Sequence, residues 1–174
     1  MPEPAEPVAA ILAELAAARA DFFEAIDDID PALLTTPGLA GEWSARELIG
    51  HLGYWSGHAA EAIHRAEAGD LAAFGEDELS VDERNEIVAR VASESTVTVV
   101  RQREQAAHDA LLARLATVEP DWLDERDADG DTLREILGFD GAEHYREHTV
   151  DVRAWFSGAA EPDEADELDD EDDA

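Results

Sequence analysis

The most informative absences in this 174-residue chain are those of cysteine and lysine. Without cysteine, the protein has no disulfide, no thiolate metal ligand and no cysteine nucleophile. Long apolar runs are missing too, since no stretch approaches the ~18 residues of a membrane-spanning helix. The N-terminus also lacks the basic segment and apolar run of a signal peptide. The sequence therefore predicts a cytoplasmic protein that does not interact with membranes.

Two common catalytic motifs are also missing from the chain. No glycine-rich phosphate loop precedes a predicted helix, and no strand leads into a nucleophile elbow. These absences exclude the nucleotide-binding and serine-hydrolase classes.

Acidic side chains dominate the charge of the protein. The sequence has 44 Asp and Glu residues against 12 basic residues, all of them Arg, which gives a formal net charge of −32. Such a charge repels phosphate backbones, so we expect no nucleic-acid partner. Ten carboxylates crowd residues 161–174, where no apolar periodicity occurs. We therefore predict one folded domain over residues 1–158 and a disordered acidic tail over residues 159–174.

Apolar residues that recur every three or four positions predict an all-α protein. The first helix is expected over residues 6–27. A second helix should begin after Ser44, because Glu47 lies three residues further on and completes a capping box. Its predicted end is Ala68, since Gly69 is a typical residue just beyond a helix.

The second half of the chain predicts two more long helices. The third should begin near Asp82, with a kink or restart at residues 93–96, and end before Pro120. Thr132 starts a short helical turn. Asp140 and Glu143 form the pattern of another capping box, which predicts the start of the last helix. The loop at residues 70–81 is long enough to cross the molecule, so the sequence predicts a four-helix bundle with a long crossover between helices two and three.

Three histidines lie on the predicted inward faces of two helices. His144 and His148 are four residues apart on the last helix, so both imidazoles lie on one face and can hold a divalent metal. His51 lies in the middle of the apolar face of the second helix. His58 faces the same way but lies ~10 Å further along the axis, and spacing alone does not choose between them.

Several motifs resemble the DinB superfamily. The similarity extends from about residue 12 to 156, and it is carried by LTTPG at 34–38, GEWS at 41–44, LIGHL at 48–52, DERNE at 82–86, EHYREH at 143–148 and RAW at 153–155. The branch most similar is that of ClbS/DfsB-like four-helix bundles, with mycothiol-dependent maleylpyruvate isomerases and bacillithiol transferases as more distant relatives. The resemblance implies the crossover bundle and a divalent metal on His51, His144 and His148, and it favours His51 over His58.

The expected activity follows from that metal site. Zn or Ni suits imidazole ligands best, with Mn or Fe as alternatives, and a thiol cofactor remains an option. We expect an enzyme that uses metal-activated water or thiol on a small electrophilic substrate, as a hydrolase or thiol S-transferase. The alternative is a non-enzymatic protein that binds a small molecule or a metal during stress. A homodimer is left open. Glu104 and Tyr145 are weak catalytic candidates, because ion pairing and aromatic packing explain them as well.

Overall fold

The helices of the computed structural model account for most of residues 5–76 and 79–159, which are the residues it describes. No strand occurs among these residues, so the all-α prediction is confirmed. The helices are α1 (Glu6–Asp27), α2 (Ala45–Ala68), α3 (Val81–Ser93), α4 (Val97–Leu115), the short α5 (Leu133–Leu137) and α6 (Glu143–Ala159). The predicted acidic tail, apart from Ala159, lies outside the described residues.

Local sequence signals set most of these boundaries. The Glu47 carboxylate accepts a hydrogen bond from the Ser44 backbone N–H at 2.9 Å, which closes the predicted capping box. Gly69 follows α2 with φ 72°, a conformation that glycine adopts at little cost. The predicted restart is confirmed, since α3 ends at Ser93 and Thr96 caps α4 through a hydrogen bond from Val99 N.

The direction of α4 confirms the predicted crossover. Near the beginning of both helices, Arg46 donates to the carbonyl of Ser95 at 3.4 Å. Near their ends, Arg114 donates to Glu67 at 2.9 Å. Because residue numbers rise together along both helices, α2 and α4 are parallel.

The crossover itself is made by α3, not by an extended loop. Asn85, near the start of α3, accepts a hydrogen bond from Trp55, whereas Ala92, near its end, packs against Gly50. Helix α3 therefore runs antiparallel to α2 and returns the chain to the end where α4 begins.

Glycine allows α2 and α4 to approach closely. A Cβ atom at Gly53 would lie 2.9 Å from the Cα of Glu104, which is closer than real Cβ atoms approach backbone. The two helices therefore pack backbone against backbone at this level, and the large apolar side chains fill the core on either side.

The start of α6 differs from the prediction. Residues Gly138–Ala142 form a π-helical turn that joins α5 to α6, and Gly141 has non-helical angles (φ −114°, ψ −112°). The sequence predicts that Asp140 caps a free helix start. Because the chain enters α6 from another helix, no such start exists, and Asp140 is instead buried with its carboxylate on His58.

The described helices include none that is both long and apolar enough to cross a membrane.

Candidate metal centre

Two antiparallel helices bring the three predicted histidines together. His51 comes from α2, whereas His144 and His148 project from adjacent turns of α6. One ring nitrogen of each residue lies within 4.8 Å of the others, and Nε2 of His51 is 2.8 Å from Nε2 of His144. Within residues 5–76 and 79–159, this is the only group of three or more potential metal-ligating His, Asp or Glu side chains so close together.

Aromatic rings hold His51 in place. The Trp43 ring lies 4.9 Å from the His51 ring, centroid to centroid, and the Trp55 ring lies 6.3 Å away on the next turn of α2. Trp43 directly precedes the Ser44 cap, so the same local signal that starts α2 also places this ring beside His51. His51 is only 4% exposed.

Burial keeps two of the imidazoles neutral. It lowers the pKa of His51 to about 3, assisted by the charges of His144 and His148 and opposed by the nearby side chain of Asn85. Burial and the charge of His148 lower the pKa of His144 to about 4. Near neutral pH both rings therefore carry a nitrogen lone pair, which is the form that binds a metal.

The hydrogen bonds around the rings fit a metal site. Nδ1 of His148 lies 2.9 Å from Oδ2 of Asp151. A neutral ring that donates a hydrogen bond from Nδ1 to this carboxylate has its lone pair on Nε2. His51 and His144 place their Nε2 atoms against each other, and without a cation only one of the two can carry a proton. Their Nδ1 atoms are buried without a partner among the described residues. Three imidazole nitrogens within 4.8 Å of one another thus fit a divalent transition metal.

A cleft of about 520 Å³ lies next to the histidines. Phe139 and Val81 are 43% and 56% exposed at its mouth, so the cleft opens to solvent. Its lining is mostly apolar and aromatic, and it consists of Ala40, Trp43, His51, Trp55, Val81, Asn85, Phe139, Asp140, His144, Glu147 and His148. A small molecule could therefore reach the side of the histidine group that the protein leaves free.

His58 does not join the group. Its Nδ1 lies 2.6 Å from Oδ2 of Asp140, on the far side of Trp55. Burial raises the pKa of the Asp140 carboxyl, against the opposing hydrogen bond from His58 and the charges of His58 and Arg84.

Glu104 and Tyr145 lie in a separate buried network. Arg19 donates two hydrogen bonds of 2.7 Å to the Glu104 carboxylate, and the Tyr145 hydroxyl donates a third at 2.6 Å. Burial and the charge of Glu104 raise the pKa of Tyr145 well above its ordinary value. Neither residue lines the cleft. Together with Arg19, they connect α1, α4 and α6.

Sequence reasoning missed two acidic residues of the cleft. Glu147 is exposed, and it also lines the cleft. Asp140 was interpreted as a helix cap. No signal in the sequence distinguishes a π-helical turn from a normal helix start, so its inward position could not be predicted.

A comparison with protein families identifies the chain. The sequence profile of the DinB superfamily matches residues 7–152. This chain belongs to the DinB superfamily. No curated protein sequence matches it significantly.

Solved structures share the fold of this DinB-superfamily protein at low sequence identity. A structure named Sibling Lethal Factor Precursor - DfsB has a TM-score of 0.74 and 11% identity, over 89% of this chain and 98% of that one. A mycothiol-dependent maleylpyruvate isomerase has a TM-score of 0.70 and 19% identity, over 84% of this chain and 60% of that one. The colibactin self-resistance protein ClbS, solved with a dsDNA, has a TM-score of 0.67 and 15% identity, over 83% and 91%. At these identities the matches show a common fold.

Proposed function

We propose that this protein is a metal-dependent enzyme that acts on a small electrophilic molecule, with one divalent metal ion held by His51, His144 and His148. The observation that carries the proposal is the convergence of three imidazoles beside an open, mostly apolar cleft. Three protein nitrogens leave a coordination position open, as in catalytic sites, whereas structural zinc sites are closed by four protein ligands.

Zn or Ni suits an all-imidazole ligand set best, and Mn or Fe remains compatible with it. When bound, such an ion lowers the pKa of a coordinated water or thiol, which supplies a nucleophile near neutral pH.

The other side chains of the site bind the substrate and hold the rings in position. Trp43, Trp55 and Phe139 form apolar walls that bind the hydrophobic part of a substrate and exclude water from it. Asp151 holds the ring of His148 in one orientation through its Nδ1 proton. Asn85 fixes the indole of Trp55 through a 3.0 Å hydrogen bond and thereby shapes the wall opposite α6.

Hydrolysis and thiol transfer are the two reaction classes that this site can support. The similarity in fold to a mycothiol-dependent isomerase makes a thiol co-substrate worth testing. Although the ClbS structure contains a dsDNA, the net charge of −32 opposes DNA binding here, so we favour a small-molecule substrate.

The test combines elemental analysis with an activity screen. Purified protein should contain about one transition-metal ion per chain. Hydrolysis of activated esters and thiol transfer to small electrophiles should then be measured with and without chelator, alongside His51→Ala and a control variant at the exposed His64. Activity that disappears with chelator and returns with metal supports an enzyme. Metal binding without turnover would instead favour a protein that sequesters a metal or small molecule, and absence of bound metal would contradict both.

A further inference from the structure

A second chamber adjoins the metal cleft. It has a volume of about 320 Å³ and shares a wall with the cleft, formed by Trp55, Val81, Phe139 and Asp140. It is rich in charged and titratable groups from four segments of the chain: His58, Arg84, Asp127, Asp129, Asp131 and Asp140. A molecule that extends past Trp55 from the metal centre would enter this chamber.

His58 and Asp140 form a carboxylate–imidazole pair between the two spaces. Nδ1 of His58 lies 2.6 Å from Oδ2 of Asp140. When Asp140 is ionised, its carboxylate only accepts hydrogen bonds, so a neutral His58 ring donates from Nδ1 and keeps a lone pair on Nε2. The ring is packed between Trp55 and Phe74, at 4.9 and 4.5 Å between centroids, yet the side chain retains 19% exposure.

The irregular backbone before α6 places this carboxylate. Asp140 lies inside the π-helical turn and is 4% exposed, and the next residue, Gly141, has non-helical backbone angles. Burying a carboxylate costs free energy unless it is paired, and π-helical turns within helices occur frequently at functional sites. A purely structural tie between this turn and α2 would not require a titratable partner that faces a chamber.

We infer that His58, oriented by Asp140, is a proton acceptor for a hydroxyl, amine or thiol group held in the second chamber. The X–H bond breaks, an N–H bond forms at Nε2 of His58, and the electron pair stays on X. Asp140 stabilises the resulting imidazolium. This inference rests on the proposed function, because the chamber and the metal cleft would receive the same substrates.

The position of His58 separates its role from that of the metal. It is seven residues from His51 on α2, or ~10 Å along the helix axis. Trp55 lies between the two centres, with ring distances of 4.9 Å to His58 and 6.3 Å to His144. His58 and the metal centre would therefore contact opposite ends of one ligand, or two different co-substrates.

The first experiment measures the protonation of the His58 ring in the full-length chain. Long-range ¹H–¹⁵N NMR spectra distinguish Nδ1–H from Nε2–H imidazole. We expect the Nδ1–H form at His58, and a shift towards Nε2–H, the form that free histidine prefers, in Asp140→Ala. An Nε2–H ring in the unmodified protein would overturn the inference, because that nitrogen could then not accept a proton.

The second experiment measures transfer of the acetyl group from p-nitrophenyl acetate to 2-mercaptoethanol by the zinc-loaded protein, because this thiol carries an S–H group from which His58 would accept a proton. His58→Gln should lower kcat/KM by about 10²–10⁴-fold, because the variant has no group at this position that can accept the proton. Asp140→Asn should lower it in the same direction, and His64→Gln is the matched control. Bound zinc should be unchanged in His58→Gln, which shows that the metal site and the fold around it remain intact.

A rate for His58→Gln within twofold of the unmodified protein would also overturn the inference. The two proposals fail separately. If the zinc-loaded unmodified protein shows no turnover, the proposed function fails, whereas the ring tautomer still decides whether His58 has the free nitrogen that the inference requires.

Discussion

Nε2 of His51 lies 2.8 Å from Nε2 of His144, although 93 positions separate these residues in the sequence. The contact exists because α2 and α6 are antiparallel neighbours, and it places two neutral imidazoles where a shared cation would satisfy both lone pairs. His148 completes the group from the next turn of α6.

Loss of any of these rings should weaken metal binding severely. His51→Ala and His148→Ala each remove one nitrogen that would bind the metal. Even the loss of a residue that only hydrogen-bonds to a metal ligand typically lowers metal affinity 10–100-fold. We therefore expect losses above ~100-fold for the two alanine variants and about 10–100-fold for Asp151→Ala, which removes the acceptor of the hydrogen bond from Nδ1 of His148. Competition with a chromophoric chelator measures these affinities. Unchanged affinity in His51→Ala would show that the three rings are packing residues, and His64→Ala serves as the exposed control.

Two glycines of α2 should respond oppositely to substitution by alanine. Gly53→Ala places a Cβ 2.9 Å from the Cα of Glu104, so α2 and α4 must separate, at a cost of about 1–3 kcal/mol. Gly57 has no atom within 4 Å of a Cβ, so Gly57→Ala should stabilise the helix by about 0.5–1 kcal/mol. Urea unfolding of both variants checks this. Equal effects would mean that the helices are not in close contact at Gly53.

Glu104 should matter for stability more than for metal binding. Its side chain is fully buried, whereas its partner Arg19 is 19% exposed, so Glu104→Gln should cost about 3 kcal/mol, the lower end for a broken buried pair. The matched variant Glu14→Gln breaks an exposed pair with Arg146 and should cost less than about 1 kcal/mol. Urea unfolding compares them. If Glu104→Gln instead abolished turnover while stability stayed intact, Glu104 would be a catalytic group acting from outside the cleft.

His108 should make stability depend on pH. Burial lowers the pKa of His108, assisted by the positive charge of Arg19 and opposed by Glu104 and Asp109. Below its ordinary pKa of 6.5, the unfolded chain therefore binds a proton that the folded protein does not. The free energy of unfolding is therefore highest above pH 6.5. Below this pH, His108 lowers it by up to about 1.4 kcal/mol per pH unit.

The measurement is the free energy of unfolding between pH 7 and pH 5. The His108→Gln variant should lose less stability over this range than the unmodified protein, and the exposed control His64→Gln should follow the unmodified protein. Parallel curves for His108→Gln and the unmodified protein would mean that His108 is protonated in the fold.

The sequence by itself determined the local features of this protein. The boundaries of α1 and α2, the caps at Ser44 and Thr132 and the restart at Thr96 depend on residues a few positions apart. The shared face of His144 and His148 likewise follows from helical geometry alone. These features were predictable because they depend on hydrogen bonds and side-chain periodicity within one helix.

Only the tertiary structure decided which residues meet across helices. Spacing left His51 and His58 equivalent, and the resemblance to the superfamily favoured His51. The axial position of α6 against α2 then placed His51 beside His144 and left His58 to Asp140. The sequence also did not predict the π-helical turn that places Asp140 inward, or the return of the chain through α3. All of these depend on contacts between segments far apart in sequence, and side-chain patterns specify which face of a helix is buried but not where along its axis a neighbour packs.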